Sequence, residues 1–167
     1  MEYILFIIVI LLFIILMNNK KRPKKKYLNF TDSANQLLIV SKGDFYKRKL
    51  MNKEESYLFR NLENILKKHK SEHMVFAQVS FGEIIGSKDK AAYSCINSKR
   101  ADFVVITRYG DPVAVFEYQG GAHYQADAIQ RDAVKKEACR KAGIAYFEVT
   151  PGYTHDDLDT CLKRILA

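Results

Sequence analysis

Two carboxylates and a glutamine stand where an apolar sheet would exclude them. Residues 100–123 read RADFVVITRYGDPVAVFEYQGGAH: Asp102 opens one apolar, β-branched run, and Glu117 and Gln119 close the next. Ionised carboxylates between covered sheet faces are costly unless they are paired or metal-bound. Two on one face offer what a hard divalent cation takes: one or two carboxylates, with water and phosphate oxygens filling the rest of the shell.

Whether they share a face depends on the hairpin that carries them. Tyr109-Gly110-Asp111-Pro112 is turn chemistry between residues 103–107 and 113–118. A loop centred on Gly110-Asp111 sets Tyr109 opposite Pro112 and Asp102 opposite Gln119. Side chains alternate with period two, so Glu117 then lies on the same face as Asp102, diagonal to it, with Cβ atoms about 7–8 Å apart or a little less. A one-residue slip would send Asp102 to the other face. Both faces are otherwise apolar, which predicts a central sheet covered on both sides.

The flanking chain predicts the cover. Asn52 with Glu55 fits a capping box, and Leu58, Leu62, Ile65 and Leu66 follow at helical spacing to about His69. Residues 74–85 read as a strand and its exit, and residues 91–97 as one or two helical turns. Residues 127–142 form a helix closed by Gly143, and residues 144–149 a strand that runs parallel to 113–118 through a crossover. Thr154 with Asp157 caps a last helix carrying Leu158, Leu162 and Ile165. The fold class is α/β, in the order α-β-β-β-α-β-α, with a mixed central sheet and helices on both faces.

Ahead of this lies a different composition. Residues 3–17, YILFIIVILLFIILM, are unbroken apolar sequence, and six basic residues follow at 20–22 and 24–26. As a helix the run spans about 22 Å, short of a ~30 Å hydrocarbon core but extended by Met1 and by snorkelling lysine stems. The early charge is Glu2, and no small-residue cleavage site precedes the basic block, so the segment reads as an uncleaved anchor with the domain on the cytoplasmic side. The expected organisation is a transmembrane anchor at 1–18, a basic linker and irregular segment at 19–49, and the α/β domain at 50–167. Because six of the charges behind the net +8 sit in the linker, the domain is only mildly basic, and the overall charge is not by itself a nucleic-acid footprint. The three cysteines form no CxxC pair, which argues against a disulfide scaffold and reads as reduced, small apolar residues. His69 and His73 stand four apart, but HKSEH lacks the metalloprotease pattern. Tyr27, Tyr46 and Tyr57 read as core or interface residues, not as a stacking platform.

The hairpin and its neighbours resemble the PD-(D/E)XK nuclease superfamily, with its restriction-endonuclease-like α-β-β-β-α-β core. More narrowly they resemble a bacterial domain-of-unknown-function family, number twenty-seven twenty-six. The resemblance rests on Glu55, Gln78-Val79-Ser80, Lys99-Arg100-Ala101-Asp102-Phe103, Glu117-Tyr118-Gln119, His123, and Arg131-Asp132-Ala133-Val134-Lys135 running to Ala142-Gly143-Ile144. It spans about residues 51–149. It implies a Mg²⁺- (or Mn²⁺-) dependent phosphodiesterase acting on nucleic acid, DNA before RNA, at the inner face of a bacterial cytoplasmic membrane. Asp102, Glu117 and the carbonyl of Tyr118 would hold the metal. The superfamily pattern has lysine where this chain has Gln119. Asp132 and Lys135 share a helix face, and Lys135 would replace that lysine, or the two form a solvated ion pair. Glu55 is either a catalytic acid or a helix cap. Lys99 and Arg100 contact nucleic-acid backbone or simply edge the hairpin, and His123 contacts phosphate or is a loop histidine. The alternative function is a catalytically inactive nuclease-fold module that binds nucleic acid or a protein at the membrane.

Overall fold

A computed structural model of the chain describes residue 13 and residues 31–120 and 126–166. The expected anchor (apart from Phe13), the basic block and His123 lie outside these residues. Among the described residues no helix is long and apolar enough to cross a membrane. The chain divides into two units, Met1–Lys47 and Arg48–Ala167. In the first, helix α1 (Ser33–Ser41) begins at Asp32, whose Oδ1 accepts the Ala34 amide at 3.2 Å.

The second unit contains a four-stranded mixed sheet in the order β1 (Met74–Ser80), β2 (Arg100–Ile106), β3 (Pro112–Tyr118), β4 (Ala145–Val149). The first three strands are antiparallel, and β3 and β4 are parallel. Helix α2 (Lys53–Lys68) precedes the sheet, α3 (Phe81–Ile84) and α4 (Lys90–Ile96) join β1 to β2, α5 (Ala126–Ala142) joins β3 to β4, and α6 (His155–Leu166) closes the chain.

The helices cover both faces. Leu58, Leu62 and Ile65 of α2 and Leu158 and Leu162 of α6 bury against Phe103, Val105, Ala114 and Phe116. On the other face Phe81, Ile96 and Cys139, from α3, α4 and α5, bury against Val104 and Val115. All three cysteines are free. The expected caps form. Asn52 Oδ1 accepts the Glu55 amide at 2.8 Å, and Glu55 Oε2 accepts the Asn52 amide at 2.9 Å. Asp157 Oδ2 accepts the Thr154 amide at 2.8 Å. Gly143 ends α5 at φ +74°, a conformation glycine adopts without steric cost. His69 lies just past the end of α2 and meets Asp159 of α6 at 2.6 Å, while His73 Nδ1 meets Ser71 Oγ at 2.7 Å, so the two histidines do not share a helix face.

The hairpin departs from the expected register. Pro112 pairs with Ile106, not Tyr109, because the loop is wider than a two-residue turn. Thr107 organises it: its amide donates to Asp111 O at 2.9 Å, and its Oγ1 accepts the amides of Tyr109 and Asp111, both at 3.2 Å. One step further Val105 pairs with Ala114, so β3 carries an extra residue, Val113, in a β-bulge. Val113 and Ala114 accordingly both pack towards α2 and α6. Beyond the bulge Val104 pairs with Val115 and Phe103 with Phe116. Extended one position, this register sets Asp102 opposite Glu117 instead of Gln119. The net displacement is even, so the two acids still share a face.

The capping box makes a stability prediction. Asn52→Ala should destabilise the chain by about 1 kcal/mol in urea unfolding, and Asn52→Asp, which keeps the acceptor, should recover most of that loss.

Candidate metal and phosphodiester site

On the α5 side of the sheet, where β2 begins and β3 ends, Asp102 and Glu117 stand on adjacent strands. Directly opposed residues of an antiparallel pair have Cβ atoms about 4.5–5.5 Å apart, and like charges so placed repel. Each acid is held differently. Asp102 Oδ2 accepts the Tyr118 amide at 2.9 Å, and Oδ1 faces Gln78 Nε2 at 3.4 Å. A side chain thus takes the place of a ladder acceptor at the point where β2 and β3 part. Gln78 has φ +57°, a left-handed conformation uncommon for any residue but glycine. That strain sits next to the Asp102 carboxylate.

Glu117 is 4% exposed. Its Oε2 accepts Lys135 Nζ at 2.8 Å, and its Oε1 is buried with no hydrogen-bond partner. Burial outweighs the attraction of Lys135 and pushes the Glu117 carboxyl up to about 7, with Asp102 and Asp132 adding to the rise. Lys135 Nζ also lies 3.5 Å from Asp132 Oδ1, and Asp132 Oδ2 accepts Gln119 Nε2 at 3.3 Å. Gln119, Asp132, Lys135 and Glu117 therefore form one polar chain.

Helix periodicity makes this possible. Asp132, Lys135 and Cys139 lie along one stripe of α5 at i, i+3 and i+7. Cys139 is fully buried against the sheet, and its thiol is pushed up to about 12 by burial and by Glu117, so it acts as an apolar anchor. One turn earlier the same stripe delivers Lys135 to Glu117. Lys136 diverges from it, 3.5 Å from Glu148 and largely exposed.

The expected site residues distribute as follows. Asp102, Glu117, Gln119, Asp132 and Lys135 come together. Tyr118 contributes its amide to Asp102, and its carbonyl accepts the Gly120 amide at 3.1 Å, leaving a second lone pair. Glu55 is occupied by the capping box, and α2 packs on the opposite sheet face. The exposed Arg100 and half-buried Lys99 lie at the start of β2. Two contributors were missed by sequence reasoning. Gln78 was signalled by a polar residue in the middle of an apolar strand and by its place in the resemblance, but was given no part in the site. Tyr146 of β4 pairs with Val115, and its hydroxyl is buried without a partner and driven upward by burial and by Glu117. Tyr57, expected in a core or interface, is 58% exposed.

Among the described residues no group of three or more His, Cys, Asp and Glu side chains is placed to hold a metal ion. Two carboxylates on one face, one with an orphaned buried oxygen, nevertheless suit Mg²⁺ or Mn²⁺. Such ions are bound through one or two carboxylates, with water and substrate phosphate completing the shell.

The Glu117 carboxyl makes the site pH-sensitive. A folded-state value near 7 against 4.5 for an ordinary glutamate means that the fold favours the protonated form. The associated stability is fully present below about pH 4.5 and is lost as pH rises through 7. In urea unfolding, wild type should lose on the order of 2 kcal/mol more between pH 4.5 and 8 than Glu117→Gln, in which Asp132 still partners Lys135.

A family model described as Protein of unknown function (DUF2726) matches residues 47–165. An "Uncharacterized protein" of Haemophilus influenzae is 46% identical over 155 residues, covering 86% of this chain and 82% of that one. "Uncharacterized protein y4bI" of Sinorhizobium fredii is 46% identical over 123 residues, covering 73% of this chain and 89% of its own. No solved structure matches. The matched segment contains the whole sheet, the helices that cover it and every described residue of the site, and the chain belongs to the DUF2726 family.

Proposed function

We propose that the chain is a membrane-anchored, metal-dependent nuclease that hydrolyses phosphodiester bonds of nucleic acid, DNA in preference to RNA. The observation that carries this reading is the buried Glu117 carboxylate, with one orphaned oxygen, beside Asp102 on one face and the Lys135 ammonium at 2.8 Å. Asp102 and Glu117, with the Tyr118 carbonyl, would hold Mg²⁺ or Mn²⁺. A bound ion supplies Lewis-acid stabilisation of charge on the phosphate.

The chain's own groups do the rest. The Tyr118 amide fixes the Asp102 carboxylate, and Gln119 fixes Asp132, which in turn partners Lys135. Lys135 brings three donors and a positive charge to the place where a phosphate oxygen would lie. It takes over the part that the superfamily pattern gives to the lysine absent at 119. Arg100 and Lys99, at the strand entrance, suit contacts to nucleic-acid backbone.

The closed Glu117–Lys135 pair favours a second reading, a catalytically inactive module that binds nucleic acid or a protein with the same fold. The two separate in a cleavage assay of the purified chain on single- and double-stranded DNA and RNA with Mg²⁺ or Mn²⁺. Glu117→Ala and Asp102→Ala should each lower the rate by roughly 100-fold or more, a loss typical of groups that stabilise the transition state. No cleavage of any substrate by wild type, or full activity in Glu117→Ala, rejects the nuclease. Calorimetric Mn²⁺ binding that disappears in Asp102→Ala is the second expected result.

The apolar segment at 3–17, followed by the basic block, supports the anchor and a cytoplasmic-side location at the bacterial inner membrane. After alkaline carbonate extraction of cells expressing it, the full chain should remain in the membrane pellet, and a chain lacking residues 1–18 should move to the supernatant. Release of the full chain would exclude an integral anchor.

A further inference from the structure

The end of β3 carries chemistry on both faces. Glu117 faces α5, and Tyr118, the next residue, faces the other way. There its ring borders an open cleft of about 330 Å³. Tyr57 of α2, Tyr118, and Tyr153 of the turn before α6 line this cleft together with the exposed Lys53, Glu54 and Arg60.

The rings are firmly based. Tyr118 and Tyr153 pack against the core, and the Tyr153 hydroxyl accepts Asn61 Nδ2 at 3.3 Å. Burial pushes the Tyr153 hydroxyl upward, with Tyr57 and Tyr118 adding to the rise, so the three phenols share one electrostatic neighbourhood. Tyr57 is 58% exposed although its neighbour Leu58 is fully buried, which leaves an aromatic surface facing solvent. Arg60 donates Nε to the Ser56 carbonyl at 3.2 Å, and neither it nor Lys53 has an ion pair among the described residues.

Aromatic faces beside unpaired cations hold an unpaired base together with its phosphate. Every base has a face to stack, and each stack is worth roughly 5- to 150-fold in affinity. Paired bases in a duplex present only their edges in the grooves, so these rings would have nothing to stack on. Tyr118 joins this cleft to the carboxylates, because its ring lines the cleft while its amide donates to Asp102 Oδ2.

We propose that the cleft of Tyr57, Tyr118 and Tyr153, with Lys53 and Arg60, holds an unpaired nucleobase of a strand that passes round the end of β3 to the face carrying Asp102. The substrate is then single-stranded nucleic acid, an assignment that rests on the nuclease reading above. The Glu54 carboxylate is an acceptor for base amino groups.

Fluorescence anisotropy tests the cleft on the full 167-residue chain in mild detergent, with EDTA present so that no strand is cut. The probes are a labelled single-stranded DNA of mixed sequence, its RNA counterpart and the matching blunt duplex, and the ratio of the two single-strand affinities identifies the sugar preferred. At least one single strand should bind roughly tenfold or more tightly than the duplex. Tyr57→Ala should weaken that binding by roughly tenfold or more, and Tyr57→Phe, which keeps the ring, should stay within about twofold of wild type. Absence of single-strand binding, equal binding by wild type and Tyr57→Ala, or a duplex bound as tightly as the single strands overturns the cleft. Cleavage is followed separately with Mn²⁺. A wild type that binds single strands through Tyr57 but cuts nothing removes the nuclease reading and leaves the base-binding cleft. A wild type that cuts, with Tyr57→Ala binding unchanged, removes the cleft alone.

Discussion

A carboxylate buried under a helix makes a demand that the surrounding residues must meet. Glu117 is nearly inaccessible, and only one of its oxygens is satisfied, by Lys135. Removing a charge from water is expensive unless opposite charge and hydrogen bonds replace the solvent. Here one ammonium replaces part of it, and Asp102 and Asp132 work against it, which is why the carboxyl holds its proton more tightly than an exposed glutamate. Such an arrangement is a poor way to stabilise a sheet. Displaced carboxyl ionisation of this kind gathers at functional sites.

The remainder of the fold positions that one group. Parallel pairing of β3 with β4 requires a crossover, and the crossover helix α5 lies over the face where Glu117 emerges. Burial of Cys139 sets the rotation of α5, and the 3.6-residue repeat then fixes where Asp132 and Lys135 arrive. The lysine reaches the site through helix geometry, not from the strand position held by Gln119. On the opposite face α2 and α6 complete the core with leucines, which frees the exposed side of α2 to carry Tyr57, Lys53 and Arg60.

Much of this was legible in the residues. The caps at Asn52 and Thr154, the left-handed Gly143, the parallel last strand and the shared face of Asp102 and Glu117 all follow from local patterns. The pairing was not legible. Nothing in Tyr109-Gly110-Asp111-Pro112 announces that Thr107 will close a wider loop, because the tie is made by side-chain hydrogen bonds. Gln78 was noted only as part of the resemblance, and its place beside Asp102 was hidden because it depends on a backbone angle. Tyr57 was read as core or interface because the leucine pattern beside it shows which side of α2 is buried but not what a neighbouring loop leaves uncovered. Glu55 illustrates the converse: its local role as a cap is fully visible, and the fold uses it there.

The extra residue in β3 gives the hairpin a phase. The loop alone would leave the strands one position out of step, with Glu117 turned towards Phe103 and the α2 leucines and Phe116 turned towards α5. Val113 advances β3 by half a pleat repeat and returns every later side chain to its proper side. The distal turn and the acidic end of the hairpin are thus insulated from each other in length but locked in parity. Turn and bulge must therefore change together if the two acids are to keep their shared face. A single-residue deletion at 113 would behave as a structural frameshift, exchanging a phenylalanine for a carboxylate in the core without altering either residue.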